Sequence, residues 1–364
     1  MKKGVRITGL ILARVRLRRF LLALLVLQWG AAGALAAPDS LIPPPARPTR
    51  VATSFFFSTI DGVDSVNETF NADFYLLLAW DDPRLASLQS GEIDTARIWE
   101  PKVEGINSRD LQRIWDYFEF PEPGKVQLQN RFSGTFAAPM DLHDFPFDRQ
   151  VLPVLIESST VPVEGMVFAY PGVQNREKAW SLLVKPADVL GHGVRMPEWT
   201  VDAIRVREME NYYDFLKVGY SRYGIEIYVT RRAGFYIWKV IVMEVLLVIL
   251  SWVVFLQEPG DIGNRSTVSV TLLLATVAFS YVISGITPRI SYLTLLDYFL
   301  LGSFFAIFLS ALENVVVYLL HKRGSADRSS LTTRIDRWSL VLFPVAFLVF
   351  NALLWARVLL SRVS

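Results

Sequence analysis

Four apolar runs fill the C-terminal part of the chain, at about 234–256, 264–286, 293–320 and 338–361. Each is long enough to cross a hydrocarbon core of about 30 Å as a helix. Lipid offers backbone groups no water, so four such runs commit this region to helices. Residues 38–232 contain no comparable run. The chain therefore divides into an outer domain, 38–232, and a transmembrane domain, 233–364. The N-terminus fits this division. Lys2, Lys3, Arg6, Arg14, Arg16, Arg18 and Arg19 precede an apolar stretch at 20–27 and then Ala34-Leu35-Ala36-Ala37. That is the pattern of a signal peptide, here 1–37. With the outer domain translocated, a short loop at 321–337 lies in the cytoplasm. Its Lys322, Arg323, Arg328, Arg334 and Arg337 obey the positive-inside rule.

The outer domain reads as an antiparallel β-sandwich. In 125–132, Val126, Leu128 and Phe132 alternate with Lys125, Gln127, Gln129 and Arg131, and 72–80, 199–207 and 224–230 behave similarly. Turn signals separate them, such as Asp82-Pro83 and Pro121-Glu122-Pro123-Gly124. Several function classes are excluded. There is no cysteine, and the three histidines (His143, His192, His321) are far apart in sequence, which leaves no metal site and no thiol chemistry. A net charge of +2 carries no signature of nucleic-acid binding. No nucleophile, zinc or phosphate-loop motif occurs, so neither an enzyme nor a cofactor is expected.

The second apolar run is unusual for a lipid-facing helix. It carries Ser266, Thr267, Ser269, Thr271, Thr276, Ser280 and Ser284. Thr267, Thr271, Leu274, Ala278 and Val282 share one helical face. Hydroxyls on such a face can replace ion hydration, with Leu and Val closing the path by dewetting. They can equally bind helices together, and the residues alone leave both readings open. If the face lines a pore, one helix cannot enclose it, and a ring of copies is needed. Glu244, Asp297, Glu313 and Asn351 are costly in lipid, and Glu244 lies nearest mid-span.

The order of the motifs resembles the pentameric ligand-gated ion channels, the Cys-loop receptor superfamily, in its cysteine-free bacterial form. Trp80-Asp81-Asp82-Pro83-Arg84-Leu85 is similar to the family's W-x-D-P-R-L. Ile98-Trp99-Glu100-Pro101 with Asn107 is similar to its W-x-P…N segment. His143-Asp144-Phe145-Pro146-Phe147-Asp148 resembles the signature loop. Ala138 and Leu152 occupy the family's cysteine positions. The stretch 263–274 resembles the pore helix of cation-type members, with Pro288 in the linker that follows. The chain departs from the pattern at Met243, where the first membrane helix usually has proline, and at Asn264, where cation-selective members usually have glutamate.

The resemblance implies a homo-oligomer of five chains in a bacterial inner membrane, with the sandwich in the periplasm. It implies a channel gated by a small ligand or by protons, with the five-residue face as pore lining. Asp261, Gly263 and Asn264 would set selectivity, and monovalent cations would pass. A gating junction of Asp64, Phe145, Pro146, Asp148, Arg231, Pro288 and Arg289 is implied. Tyr75, Tyr212, Tyr213, Phe215 and Tyr220 would contact the ligand, although such aromatics also serve as packing. A non-conducting or anion-selective membrane sensor of the same fold is the alternative.

Overall fold

The computed structural model describes residues 42–171, 181–285, 290–322 and 326–361. The expected signal peptide lies outside them. Ten strands form two five-stranded sheets. They are β1 (Thr49–Asp64), β2 (Thr69–Asp81), β3 (Val103–Gly105), β4 (Gln112–Glu119), β5 (Lys125–Ala137), β6 (Arg149–Ser158), β7 (Met166–Ala169), β8 (Ser181–Val184), β9 (Trp199–Tyr213) and β10 (Val218–Arg231). One sheet runs β4-β5-β2-β1-β7 and the other β3-β6-β10-β9-β8. The paired strands are antiparallel except β1 with β7. The four alternating segments read from the sequence fall inside β2, β5, β9 and β10.

Alternation explains the core. In β2, Phe70, Ala72, Phe74, Leu76, Leu78 and Trp80 are all buried, as period two requires of a strand with one face inward. Phe57, Phe74 and Phe132 interlock with ring centroids 5.6 and 5.8 Å apart, and each such pair adds about 1 kcal/mol beyond its burial. Tyr223 of β10 crosses between the sheets and donates its hydroxyl to the Thr53 carbonyl of β1 at 3.1 Å.

The motifs of the outer domain have structural work. Asp82 is buried. It accepts from the Arg84 backbone N–H at 3.1 Å and from its guanidinium at 2.8 and 2.7 Å, while Pro83 opens the short 3-10 turn Pro83–Leu85. Trp80 and Trp99 meet edge to face at 5.5 Å. Asn107 donates to the carbonyls of Ala137 and Pro153 and accepts from the Leu155 N–H, tying its turn to β5 and β6. Ala138 and Leu152 are fully buried in the apolar core.

The transmembrane domain holds four helices long and apolar enough to cross a membrane. We label them α1 (Gly234–Leu256), α2 (Ile262–Ser284), α3 (Leu295–Lys322) and α4 (Ala326–Ser361). Within α1, Ile237–Ile241 is a π turn and Val253–Leu256 tightens to 3-10. The loop expected at 321–337 is corrected: α4 already begins at Ala326. Its apolar part spans Leu331–Ala356. Hydropathy marks only that part, and the polar turns before it are helical too. Thr332, Asp336 and Ser339 recur at helical spacing and are buried there.

Candidate functional site

The loop between β5 and β6 joins the two domains. Tight turns fold it back on itself, with Phe145 N–H donating to Leu142 O and Phe147 N–H to Asp144 O. The Phe145–Pro146 bond is cis, and Phe145, Pro146 and Asp148 are buried. Asp148 accepts from Arg231 Nε at 2.8 Å and Nη2 at 3.2 Å, and from Gln150 Nε2 at 2.7 Å. Arg231 is the last residue of β10, three residues before α1. Its guanidinium sits 4.1 Å from the Trp199 ring centre and 4.9 Å from that of Phe145. It also donates to Ser65 Oγ at 2.8 Å. Arg and Asp side chains are only 2% and 1% exposed. A guanidinium removed from water needs this bidentate partner and these π faces together.

The same loop grips the helices. The N–H groups of Leu295 and Leu296, at the start of α3, donate to the carbonyls of His143 and Phe145 at 2.8 and 3.2 Å. These are donors that a helix leaves unsatisfied. Tyr292 Oη accepts from the Leu142 N–H at 3.0 Å, and its ring stacks on His143 at 3.9 Å. Phe145 packs on Tyr236 of α1, and Phe147 on Trp355 of α4. Asp297 completes the cap of α3 by exchanging hydrogen bonds with Thr294. One loop thus touches α1, α3 and α4.

Of the junction residues read from sequence, Phe145, Pro146, Asp148 and Arg231 come together. Pro288 and Arg289 lie outside the described residues. Asp64 does not join the cluster. It turns back and accepts from the N–H groups of Val66 and Asn67 and from Asn67 Nδ2, and Ser65 reaches Arg231 instead. Those bonds, the Asn67 side chain foremost, hold the Asp64 carboxyl below the usual aspartate range. Its contribution to stability is present above that range and is lost only as pH falls through the lowered value. Asp64→Ala is therefore expected to cost about 1 kcal/mol, read as a lower melting temperature at pH 7. Its pH response between 7 and 5 should overlay that of the unaltered protein. Trp199 and Glu198, the latter 3.7 Å from Arg231 Nη1, escaped the sequence reading. Only the aromatic Trp199 at the start of the alternating segment 199–207 could have signalled them.

On α2 the two faces separate cleanly. Thr267, Thr271, Leu274, Ala278 and Val282 are all exposed on the single chain. Arg265, Ser269, Leu272, Thr276 and Ile283 are buried against the other helices. The hydroxyls thus divide between both readings: Thr267 and Thr271 lie on the open face, while Ser269 accepts from Asn314 Nδ2 of α3 at 2.8 Å. Asp261 caps α2 by accepting from the Asn264 N–H at 3.2 Å, and Asn264 Nδ2 donates to it at 2.5 Å. Gly263, Asp261 and Asn264 are exposed at this end, whereas the Arg265 guanidinium points into the bundle.

The β9–β10 hairpin carries the aromatics. Tyr213 is 5.9 Å from Phe215 and 5.8 Å from Tyr220, ring centre to ring centre. Tyr212 and Phe215 are exposed at its tip. Tyr213 Oη donates to Glu157 Oε1 at 2.9 Å, and Arg222 Nε donates to Glu157 Oε2 at 2.8 Å. Burial and the Glu157 carboxylate raise the Tyr213 hydroxyl above the usual phenol range. Tyr75 lies on β2, in the opposite sheet. Its ring has the Arg131 guanidinium 5.6 Å from its centre, held by Asp73. No ring contact joins Tyr75 to the hairpin among the described residues. A cavity of about 600 Å³ lined by Arg47, Trp99, Glu100, Lys102 and Glu164 contains none of these five aromatics.

Comparison with known proteins gives two family matches. Residues 38–233 match the neurotransmitter-gated ion-channel ligand binding domain, and residues 244–332 match the neurotransmitter-gated ion-channel transmembrane region. A gamma-aminobutyric acid receptor subunit beta-4 of Gallus gallus is 25% identical over 80% of this chain and 59% of its own length. A proton-gated ion channel of Gloeobacter violaceus is 25% identical over 87% of this chain and 86% of its own. A gamma-aminobutyric acid receptor subunit theta of Mus musculus is 25% identical over 75% and 42% respectively. The chain thus spans less than two thirds of the two receptor subunits and most of the Gloeobacter channel. With a β-sandwich, four helices of membrane length and a loop that joins them, the chain belongs to the neurotransmitter-gated ion channel family, a family of channels and not of enzymes.

Proposed function

We propose that five copies of the chain form a ligand-gated, cation-selective channel in a bacterial inner membrane, with the sandwich in the periplasm and α2 lining the pore. The observation that carries the reading is the open face of α2. Thr267, Thr271, Leu274, Ala278 and Val282 are exposed in one continuous stripe, while the opposite face is packed. A ring of such stripes gives a hydroxylated inner half and an apolar outer half, and the apolar half closes by dewetting. Asp261 at the inner end, with Arg265 turned away, supports cation passage. The agonist acts at the hairpin, with Tyr75 of a neighbouring copy closing the site. Motion of the sandwich passes through the Arg231–Asp148 junction to α1 and α3. Purified protein in planar bilayers under asymmetric salt tests this. Agonist-dependent current reversing near the cation equilibrium potential is expected. A reversal near the chloride value, or silence from an intact oligomer, would overturn it.

Protons are a second reading of the agonist, and one observation favours them. Glu157 is already engaged by Arg222 and Tyr213, so this carboxylate is not free to pair with an amine. Current evoked by acid alone, and preserved in Tyr213→Ala, would select this reading. Loss of an amine-evoked current in the same variant would select the first.

The apolar ring makes its own prediction. Leu274 is 68% exposed on the single chain, and in a ring it faces its copies. Leu274→Ser removes the surface that expels water and puts a hydroxyl there. The variant is expected to conduct without agonist, with a standing current at least tenfold above that of the unaltered protein. An unchanged resting current would place the closure elsewhere.

A further inference from the structure

We infer that Asp336 on α4, a residue outside the pore, sets the ion preference of the channel by neutralising Arg265 beside the inner mouth. The inference rests on α2 being the pore lining. Arg265 is fully buried. Its Nη2 donates to Asp336 Oδ1 at 2.5 Å, and its Nε and Nη2 to the Val254 carbonyl at 3.2 and 3.1 Å. Nη1 has no partner. Beside the pair, Glu313 of α3 accepts from Ser339 Oγ of α4 at 3.0 Å, and Glu313 also lies against Asp336. One turn further along α2, Ser269 and Asn314 bond. The cation of the pore helix is thus held by the Asp336 carboxylate and the Val254 carbonyl, both on helices behind it.

The consequence is electrostatic. Arg265 immediately follows Asn264, and the exposed Asp261 lies one turn before it. Each copy therefore presents an acid to the mouth and keeps its cation paired out of sight. Removing Asp336 leaves a positive charge behind the mouth, repeated once per copy of the ring, and the potentials of such charges add in a confined pore. The side chain is also long enough for its head to seek water at the helix end once its partner is gone. Either response repels cations.

The test is reversal potential in asymmetric sodium chloride, using the full-length oligomer. Asp336→Asn is expected to shift reversal toward the chloride value. Arg265→Gln should lack that shift, and the double variant Arg265→Gln with Asp336→Asn, neutral again at this position, should reverse near wild type. That dependence on Arg265 separates a charge effect from loosened packing. An Asp336→Asn reversal equal to wild type overturns the proposal, as does a double variant that reverses as near the chloride value as Asp336→Asn alone. If Asp336→Asn does not assemble, Asp336→Ser, which removes the same charge with a smaller side chain, carries the test. The same shift is expected. No shift there overturns the proposal. An anion-selective wild type overturns the cation reading alone, because the variant is still compared with its own parent. A silent wild-type oligomer overturns both.

Discussion

Asp148→Asn abolishes agonist-evoked current while the oligomer still assembles: that is the expected result of breaking the junction, checked by size-exclusion chromatography and bilayer recording on the same preparation. The substitution keeps size and removes charge. It leaves Arg231 buried, with Ser65 and two aromatic faces as its remaining close partners. Glu198 cannot substitute, since its side chain is 61% exposed and 3.7 Å away, and such a surface contact is worth under about 1 kcal/mol. Breaking a buried pair by removing one partner costs about 3–5 kcal/mol. That is more than enough to reverse a balance of a few kcal/mol between two states of a channel. The loss falls where both domains meet, because the loop that holds Asp148 also caps α3 through His143 and Phe145. Arg231→Lys is expected to be intermediate. It keeps the charge but loses the fork and the flat face that stacks on Trp199. Wild-type current from Asp148→Asn would reduce the pair to a structural tie.

The sandwich and the four helices were legible because burial is periodic. Period two in β2 and β10, and apolar runs of membrane length, leave few alternatives. The junction was half legible. The signature loop located Phe145, Pro146 and Asp148, and the family resemblance supplied Arg231. Asp64 was misplaced by one residue. An aspartate three residues before Asn67 bonds its own turn before it can reach a distant guanidinium, and that local competition is invisible to a rule that pairs opposite charges. Glu157 went unread because its partners come from two strands, 56 and 65 positions away. The inner polar cluster was hidden for another reason. Hydropathy places Arg265 and Asp336 at helix ends, where charges are ordinary, and only packing shows them buried against each other. The start of α4 was hidden likewise, since its polar turns carry no apolar signal.

Glu244 separates stability from function, and the separation can be measured. It is fully buried at the middle of α1, and neither carboxyl oxygen has a hydrogen-bond partner. Its polar neighbour is Thr276 on the buried face of α2, whose hydroxyl also lacks a partner. No ion pair reaches Glu244 among the described residues. A polar group buried without partners destabilises the packing by about 1–3 kcal/mol. Replacing it with an apolar residue of similar size removes that cost. Glu244→Leu is therefore expected to raise the melting temperature of the solubilised oligomer by several degrees, and adding Thr276→Val should not reverse the gain. Current should move the other way. A costly group against the face of α2 behind Thr271 and Leu274 is the kind of conflict that persists where a helix must shift. Evoked current in Glu244→Leu is expected to fall at least tenfold, with Glu244→Gln, which keeps polarity and shape, closer to the unaltered protein. If Glu244→Leu instead melts several degrees lower, the carboxyl is a structural element with partners in the assembled ring. If the variant is more stable and conducts normally, Glu244 has no part in moving the pore helix.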